Sequence, residues 1–404
     1  MTLDKKVQIL VCGGGNGAHC LAGLASLRPN AEVSVLTLYA DEAERWTKVL
    51  VDKKLKISAT YNDGTNGELE SRPKLITKDP ASVVPNADII FMVVPAFAHQ
   101  QYLTEIAKHI KDNTVIVGLP GQAGFEFQCL SILGNKAKTC AVSSFESLPW
   151  ACRILEFGCH VQILGFKESL GAALLQGSQC TLSAPAFDTI QWILGEKPKI
   201  KPIQNYIAVN LMAKSIIHPP LMYGQWSKWN GQSLDEKPLF YQGVDDLQAS
   251  LLSKVSDEVV ATAKAIEQQR SGIDMKDVIH ILDWYKEYYR YQVTDSSNLM
   301  KAMQTNKAYD GLLHPMKPAG DGKYVPDFSY RYTAEDVPFG LVVMKGIAQI
   351  AGVATPVMDE VITWAQGKLG KEYLVGSELK GKDLPSSRAP QSYNFHTLDD
   401  LFNV

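Results

Sequence analysis

A short apolar run, Val7–Val11, passes directly into Cys12-Gly13-Gly14-Gly15-Asn16-Gly17-Ala18-His19, and this junction restricts the fold more than any other stretch of the chain. Its length and β-branched content predict a buried strand, and Ala18–Ser26 reads as the helix that follows. Gly13, Gly15 and Ala18 form the pattern G-x-G-x-x-A. The first glycine suits a tight turn, the second lets backbone approach a pyrophosphate, and the small third residue lets the helix pack on the strand. The helix N-terminus then faces the phosphates. A glycine turn that only packs is the bland alternative. Against it stand the preceding strand, the following helix and a second strand at Val33–Leu38. The pattern thus reads as a dinucleotide site, with Asn16 and Gly17 inside the loop.

The acidic residue expected about 20 residues further on, which would hold the ribose hydroxyls, is displaced. Leu36, Thr37 and Leu38 occupy that region, and Asp41 comes slightly late. Arg45 is also near and would suit a 2′-phosphate. Spacing alone leaves NAD against NADP open.

Asp41–Leu50 reads as a second helix, and Asp88–Val94 and Thr114–Gly118 are near-continuous apolar runs of the kind found in parallel sheets. Cys140–Ser143 and Val161–Leu164 add two strand candidates. This alternation predicts an α/β fold with an N-terminal Rossmann-type doubly wound sheet. Ligands of such sheets sit at the carboxyl ends of strands. Pro95, Ala96 and Phe97 are therefore expected on the nicotinamide side, as is the turn Leu119–Gly124, unless these are ordinary turns.

After about residue 200 the apolar spacing becomes helical, in Asn205–Ile217, Leu247–Gln268, Lys276–Tyr291 and Pro338–Ala351. An all-helical C-terminal domain is expected, with the polar stretch Gly195–Pro202 as boundary, giving domains 1–200 and 201–404. Two domains also suit 404 residues better than one core. Segments 224–244 and 306–333 read as long ordered loops, which often serve function.

The formal net charge is −3 and neither sign forms long runs, which argues against nucleic acid or an anionic membrane as partner. No stretch approaches the ~18 consecutive apolar residues of a membrane span. The N-terminal apolar run is too short for a signal segment. A soluble, cytoplasmic protein is expected. The seven cysteines include no C-x-x-C pair, so neither a metal site nor a disulfide framework is expected.

Three residues stand out as candidate chemistry. His218 ends the apolar stretch Asn205–Ile217 and precedes Pro219-Pro220. At a helix C-terminus the macrodipole would favour the cationic, proton-donating ring. The alternative is a capping or core histidine. Asp336, before Val337-Pro338, reads equally as an N-cap, and with Thr333 as a capping box. Arg331 lies among tyrosines at the end of a long loop, as a carboxylate fork or a surface ion pair.

Taken together, GGGNGAH, SFESLPWAC, IIHPP and RYTAED resemble the invertebrate opine dehydrogenases, in the same order and spacing from Val7 to about Leu401. The resemblance implies a reductive condensation of pyruvate with an amino acid, with NADH rather than NADPH as cofactor, in a monomer that reoxidises glycolytic NADH. It implies that His218 is the proton donor, Asp336 its partner, and Arg331 the clamp for the keto-acid carboxylate. It further implies an amino-acid pocket of Gln122, Glu146, Ser147, Cys152, Met212 and Trp284. There Glu146 would pair a guanidinium and Trp284 would stack on one, which favours arginine as amine donor. Ser147 departs from the threonine typical of arginine-using members. Taurine-, alanine- and glycine-using members share the scaffold. A β-hydroxy-acid dehydrogenase of the same plan is the rival reading, but it needs a helix-borne catalytic lysine or a basic phosphate cluster.

Overall fold

The computed structural model describes residues 6–61 and 63–403. The chain divides into two compact units, one up to Val209 and one from Asn210.

The first unit is built on an eight-stranded sheet, in the spatial order Lys199–Pro202, Ser169–Gln176, Ala141–Phe145, Val115–Gly118, Ile89–Met92, Val7–Cys12, Ala31–Leu36 and Leu75–Thr77. Every neighbouring pair is parallel except Ser169–Gln176 against Ala141–Phe145. The central strands are buried on both faces, which explains their unbroken apolar runs. The chain reverses direction of travel beside Val7–Cys12, between Ala31–Leu36 and Ile89–Met92, which is where doubly wound sheets bind ligands.

A second sheet, absent from the sequence expectation, runs Asn66–Ser71, Leu55–Thr60, His160–Phe166 and Trp150–Glu156. The Val161–Leu164 run belongs here rather than to the main sheet. Its neighbour Trp150–Glu156 alternates between covered and exposed positions, but the exposed ones include Ala151 and Leu155, so the apolar residues hide the period.

The second sheet packs against the helix Asn16–Ala25 that follows the glycine loop. His19 makes that junction. Its ring stacks on Trp46 at 3.7 Å and 2°. Nδ1 lies 3.1 Å from the Gly15 carbonyl, and the Gly158 amide donates to Nε2 at 3.0 Å. A neutral ring with hydrogen on Nδ1 satisfies both contacts.

The described residues of the second unit are mainly helices and loops, with two two-stranded ribbons, Met316–Gly320 with Lys323–Pro326 and Leu374–Val375 with Glu378–Leu379. Its longest helix, Asp246–Gln269, starts at a reciprocal cap between Asp245 and Gln248. Gln248 also donates to the Leu221 carbonyl at 3.1 Å, tying this helix to His218–Trp226. Gly224 makes the close approach possible, since a Cβ there would overlap Gln248. The expected Lys276–Tyr291 helix is shorter, Ile281–Tyr288, because His280 caps it. No helix among the described residues is long and apolar enough to cross a membrane.

Burial holds the His19 imidazole down to about 4, against the opposing pull of its Gly15 and Gly14 contacts. Between about pH 6.5 and 4 the unfolded chain therefore binds the extra proton, and stability falls as acid is added. The loss is on the order of 3 kcal/mol. In urea titrations across that window, His19→Gln should show a shallower pH dependence than the wild type. An identical slope would remove the neutral ring from this role.

Candidate active site

In the first unit the glycine loop opens at the carboxyl end of Val7–Cys12. Gly13 has φ +120°, and a Cβ there would overlap the Val93 carbonyl, so only glycine makes this turn. Gly15 precedes the helix Asn16–Ala25, whose first turn has no side-chain cap. A Cβ at Gly15 would meet no atom within 4 Å. Uncapped amides under an open backbone surface fit a diphosphate. Gly17 packs beneath Val93 and Leu148, and Ala18 is fully buried, as close helix–strand contact requires. The Asn16 side chain is committed elsewhere, its Oδ1 accepting from the Ile154 amide at 2.9 Å. The Nδ2 donors and the backbone of Asn16 remain for a nucleotide.

The carboxylate nearest the loop is Glu42, which the sequence reading passed over for Asp41. A Cβ at Gly14 would collide with the Glu42 carboxylate, and Thr37 Oγ1 donates to it at 2.6 Å. Asp41 instead pairs with Arg45 at 2.9 Å, and the Arg45 guanidinium covers Phe157 at 4.4 Å. The available signal was Thr37, a hydroxyl at the strand end five residues before an acid in the first helical turn.

Pro95 and Ala96 begin the helix Ala96–Ala107 after Ile89–Met92, with Ala96 buried and Phe97 67% exposed. Gln122 sits at φ +58° in the turn before Phe125–Leu133. Glu146 is buried and accepts from the Gly171 amide at 3.0 Å, so one of its oxygens is spoken for. Ser147 Oγ accepts from Lys167 Nζ at 2.7 Å. Cys152 accepts from Cys20, which pulls the Cys152 thiol down against its burial.

The second unit brings two of the three candidates together. Asp336, 2% exposed, lies 2.5 Å from His218 Nδ1. A carboxylate is acceptor-only, so Nδ1 carries the hydrogen. On the other side of the ring, Nε2 is 2.7 Å from the Tyr241 hydroxyl. The imidazole is also stacked on Tyr332 at 3.7 Å and 11°. Burial raises the Tyr241 phenol well above its ordinary range, and Tyr332, Tyr285 and Tyr289 add to this. It therefore stays protonated. A phenol donates to a neutral ring and accepts from a charged one, so Tyr241 holds Nε2 in either state. Neither Tyr241 nor Tyr332 had a distinguishing sequence signal: Tyr241 is a lone tyrosine in a long polar segment, and Tyr332 sits in the short helix Arg331–Ala334 beside Tyr330.

Two local expectations are corrected. Asn205–Ile217 is not one helix ending at His218. It is Tyr206–Leu211 and a 3-10 turn Lys214–Ile216, and His218 then opens the helix His218–Trp226. Pro219 and Pro220 start that helix rather than stop one, because first-turn positions need no amide hydrogen. The dipole argument made for His218 thus reverses sign. Asp336 itself makes no capping bond. The expected partner in a capping box, Thr333, has a buried hydroxyl without a hydrogen bond. The chain instead takes a π-helical turn, Val337–Leu341, before Val342–Ile350. This extra residue per turn frees the carboxylate for His218. Gly340 in that turn packs on Ser215, where a Cβ would overlap the serine side chain.

Arg331 begins the short helix Arg331–Ala334, which packs against His218–Trp226. Its Nε is 3.3 Å from Glu335, and the side chain is 53% exposed. Half the guanidinium is thus oriented by a buried carboxylate. Met212 is buried, and its carbonyl accepts from Lys214 Nζ at 3.0 Å. Trp284 is buried in the Ile281–Tyr288 helix, with the Lys214 ammonium 3.9 Å above its ring.

Comparison with known proteins identifies the family. Residues 202–369 match the family described as NAD/NADP octopine/nopaline dehydrogenase, alpha-helical domain. An opine dehydrogenase of Haliotis discus hannai is 53% identical over 408 residues, covering all of both chains. A tauropine dehydrogenase of Arabella iricolor is 46% identical, over 98% of this chain and 100% of its own. The structure of an octopine dehydrogenase with NADH and L-arginine superposes with a TM-score of 0.94 at 48% identity, over 98% of each chain. The chain is a member of the opine dehydrogenase family of NAD(P)-dependent oxidoreductases.

Proposed function

We propose that this protein catalyses the NADH-dependent reductive condensation of pyruvate with an amine-bearing acid. Pyruvate, the amine, NADH and one proton give an opine, NAD and water. The observation that carries this reading is the 2.5 Å contact between buried Asp336 and His218 Nδ1.

That contact fixes the tautomer, and Nε2 becomes the atom available for chemistry when the keto oxygen takes the place of the Tyr241 hydroxyl beside it. A proton held on Nε2 polarises the keto oxygen while the amine adds to the carbonyl carbon, and the oxygen then leaves as water. The C=N bond so formed is the acceptor for reduction. Asp336 stabilises the charged ring, and Tyr241 keeps it aligned without supplying the proton itself. Arg331 holds the keto-acid carboxylate through parallel hydrogen bonds from its terminal nitrogens, with Glu335 fixing the remaining one. When bound at the glycine loop, NADH supplies the hydride. Gly13, Gly15, Gly17 and Ala18 would hold its diphosphate, and Pro95 to Phe97 would flank its nicotinamide. Glu42 favours ribose hydroxyls over a 2′-phosphate, and Arg45 is already engaged by Asp41. Both substrates this chemistry removes, pyruvate and NADH, are products of glycolysis, which supports a role in regenerating NAD.

The expectation of arginine as amine donor rests on Glu146 to pair a guanidinium and on Trp284 to stack on one; Glu146 is buried, and the Lys214 ammonium lies 3.9 Å from the centre of the Trp284 ring.

NADH oxidation with pyruvate should require an added amine. Turnover indifferent to the amine would instead mark a 2-keto-acid reductase of the same fold. His218→Ala should lower kcat by about 100-fold or more. NADH affinity, read by nucleotide fluorescence, should stay within about twofold, since the loop lies in the other unit. Arg331→Lys keeps the charge but loses the fork, and should raise KM for pyruvate about tenfold with little change in KM for the amine. An unchanged pyruvate KM would assign Arg331 to its surface pair with Glu335 alone.

A further inference from the structure

We infer that the Tyr241 hydroxyl is a second hydrogen-bond donor to the keto oxygen, so that His218 Nε2 and the phenol together receive the negative charge that develops there. This rests on the reductive condensation proposed above and adds a catalytic residue to it.

His218 gives its Nδ1 hydrogen to Asp336 at 2.5 Å. While the ring is neutral, Nε2 offers only a lone pair, and the Tyr241 hydroxyl donates to it at 2.7 Å. Once the ring takes up a proton, Nε2 is itself a donor and the contact reverses. A hydroxyl carries one hydrogen, so Tyr241 then has it free for another acceptor. The charged ring, which is the form able to give up a proton, is thus also the form that releases the phenol hydrogen. Burial, reinforced by Tyr332, Tyr285 and Tyr289, keeps the phenol from ionising, so that hydrogen stays in place.

The phenol is held where it stands. Tyr241 is 6% exposed, stacked on Tyr309 at 3.8 Å and 16°, with Phe240 edge-on at 4.8 Å and 84°. Tyr309 in turn donates to the Tyr285 hydroxyl at 3.1 Å, and Tyr285 meets Trp284 at 5.3 Å and 78°. The backbone is pinned as well, by the Phe240 amide on the Leu312 carbonyl at 2.7 Å and the His314 amide on the Pro238 carbonyl at 2.8 Å. A phenol so enclosed turns its O–H bond but does not swing away. The His218 side chain, with Tyr332 over one face, is 17% exposed, which leaves a substrate a way to the ring. A keto oxygen that replaces the phenol as partner of Nε2 therefore rests beside the hydroxyl it displaced, within reach of both hydrogens.

Two donors at one oxygen matter because charge grows there. As the amine nitrogen bonds to the carbonyl carbon, the π pair of C=O moves onto oxygen. Nε2 gives its proton to that oxygen, and the nitrogen returns one to the ring. A second transfer from Nε2 lets water leave as the C=N bond forms. The phenol hydrogen is never transferred. It counts most while the oxygen is anionic and least against the neutral ketone, so its effect falls on kcat rather than on pyruvate binding.

The test compares wild type, Tyr241→Phe, Tyr309→Phe, His218→Ala and the double variant, with the opine measured by chromatography so that slow turnover is still counted. Tyr241→Phe keeps the ring and loses only the hydroxyl. Its kcat should fall about 100-fold, with KM for pyruvate within about threefold. Tyr309→Phe removes the neighbouring hydroxyl, keeps the stack, and should stay within about twofold of wild type. The double variant separates direct donation from action through His218. A phenol that touches the oxygen should still be worth about tenfold in the His218→Ala background, whereas one that only aligns the imidazole should be worth nothing there. An unchanged kcat in Tyr241→Phe, an equal loss in Tyr309→Phe, or no further loss in the double variant overturns the inference. Turnover that ignores the amine overturns the parent reading instead. Tyr241→Phe is then judged on that activity, since a ketone reduced directly also gathers charge on its oxygen.

Discussion

The hydrogen bond from His218 to Asp336 joins segments 118 residues apart, and much of the second unit is arranged to permit it. The carboxylate is buried, so its charge must be matched by a donor. The π-helical turn releases it from capping, Gly340 lets that turn close on Ser215, and Pro219-Pro220 open a helix at the imidazole. Tyr332 and Tyr241 then fix the ring plane and its far nitrogen. None of these features has an evident purpose alone. Each follows once a buried acid has to meet a ring in one orientation.

The glycine loop shows similar economy in the first unit. Gly13 makes a turn no side chain tolerates, Gly15 is left uncovered, and His19 anchors the loop carbonyl from below while packed on Trp46. The second sheet is the platform for that anchor, since the Gly158 amide and the Ile154 amide reach back to His19 and Asn16. Loop conformation is therefore set by residues that never need to touch a ligand.

How far these features were legible in the sequence differs between the units. Strand runs buried on both faces announce themselves by composition, so Val7–Cys12, Ile89–Met92 and Val115–Gly118 were readable to within two residues. Trp150–Glu156 was not, because apolar Ala151 and Leu155 stand at its exposed positions and mask an otherwise regular alternation. Helical spacing found Asp246–Gln269 but merged the broken stretch before His218, where apolar residues continue across a 3-10 turn. His218, Arg331 and Asp336 were each ambiguous locally, since capping, ion pairing and catalysis call for the same residue types. Family motifs separated those meanings. Tyr241 gained its meaning only from His218, a neighbour 23 residues away in the chain.

The row of rings between Trp284 and His218 has one more consequence. Stacked and edge-on aromatic groups have almost no torsional slack, unlike the aliphatic side chains that line many pockets. The distance from the Trp284 ring to the imidazole nitrogen is thus set by packing alone, and the helical unit needs no moving part to hold it.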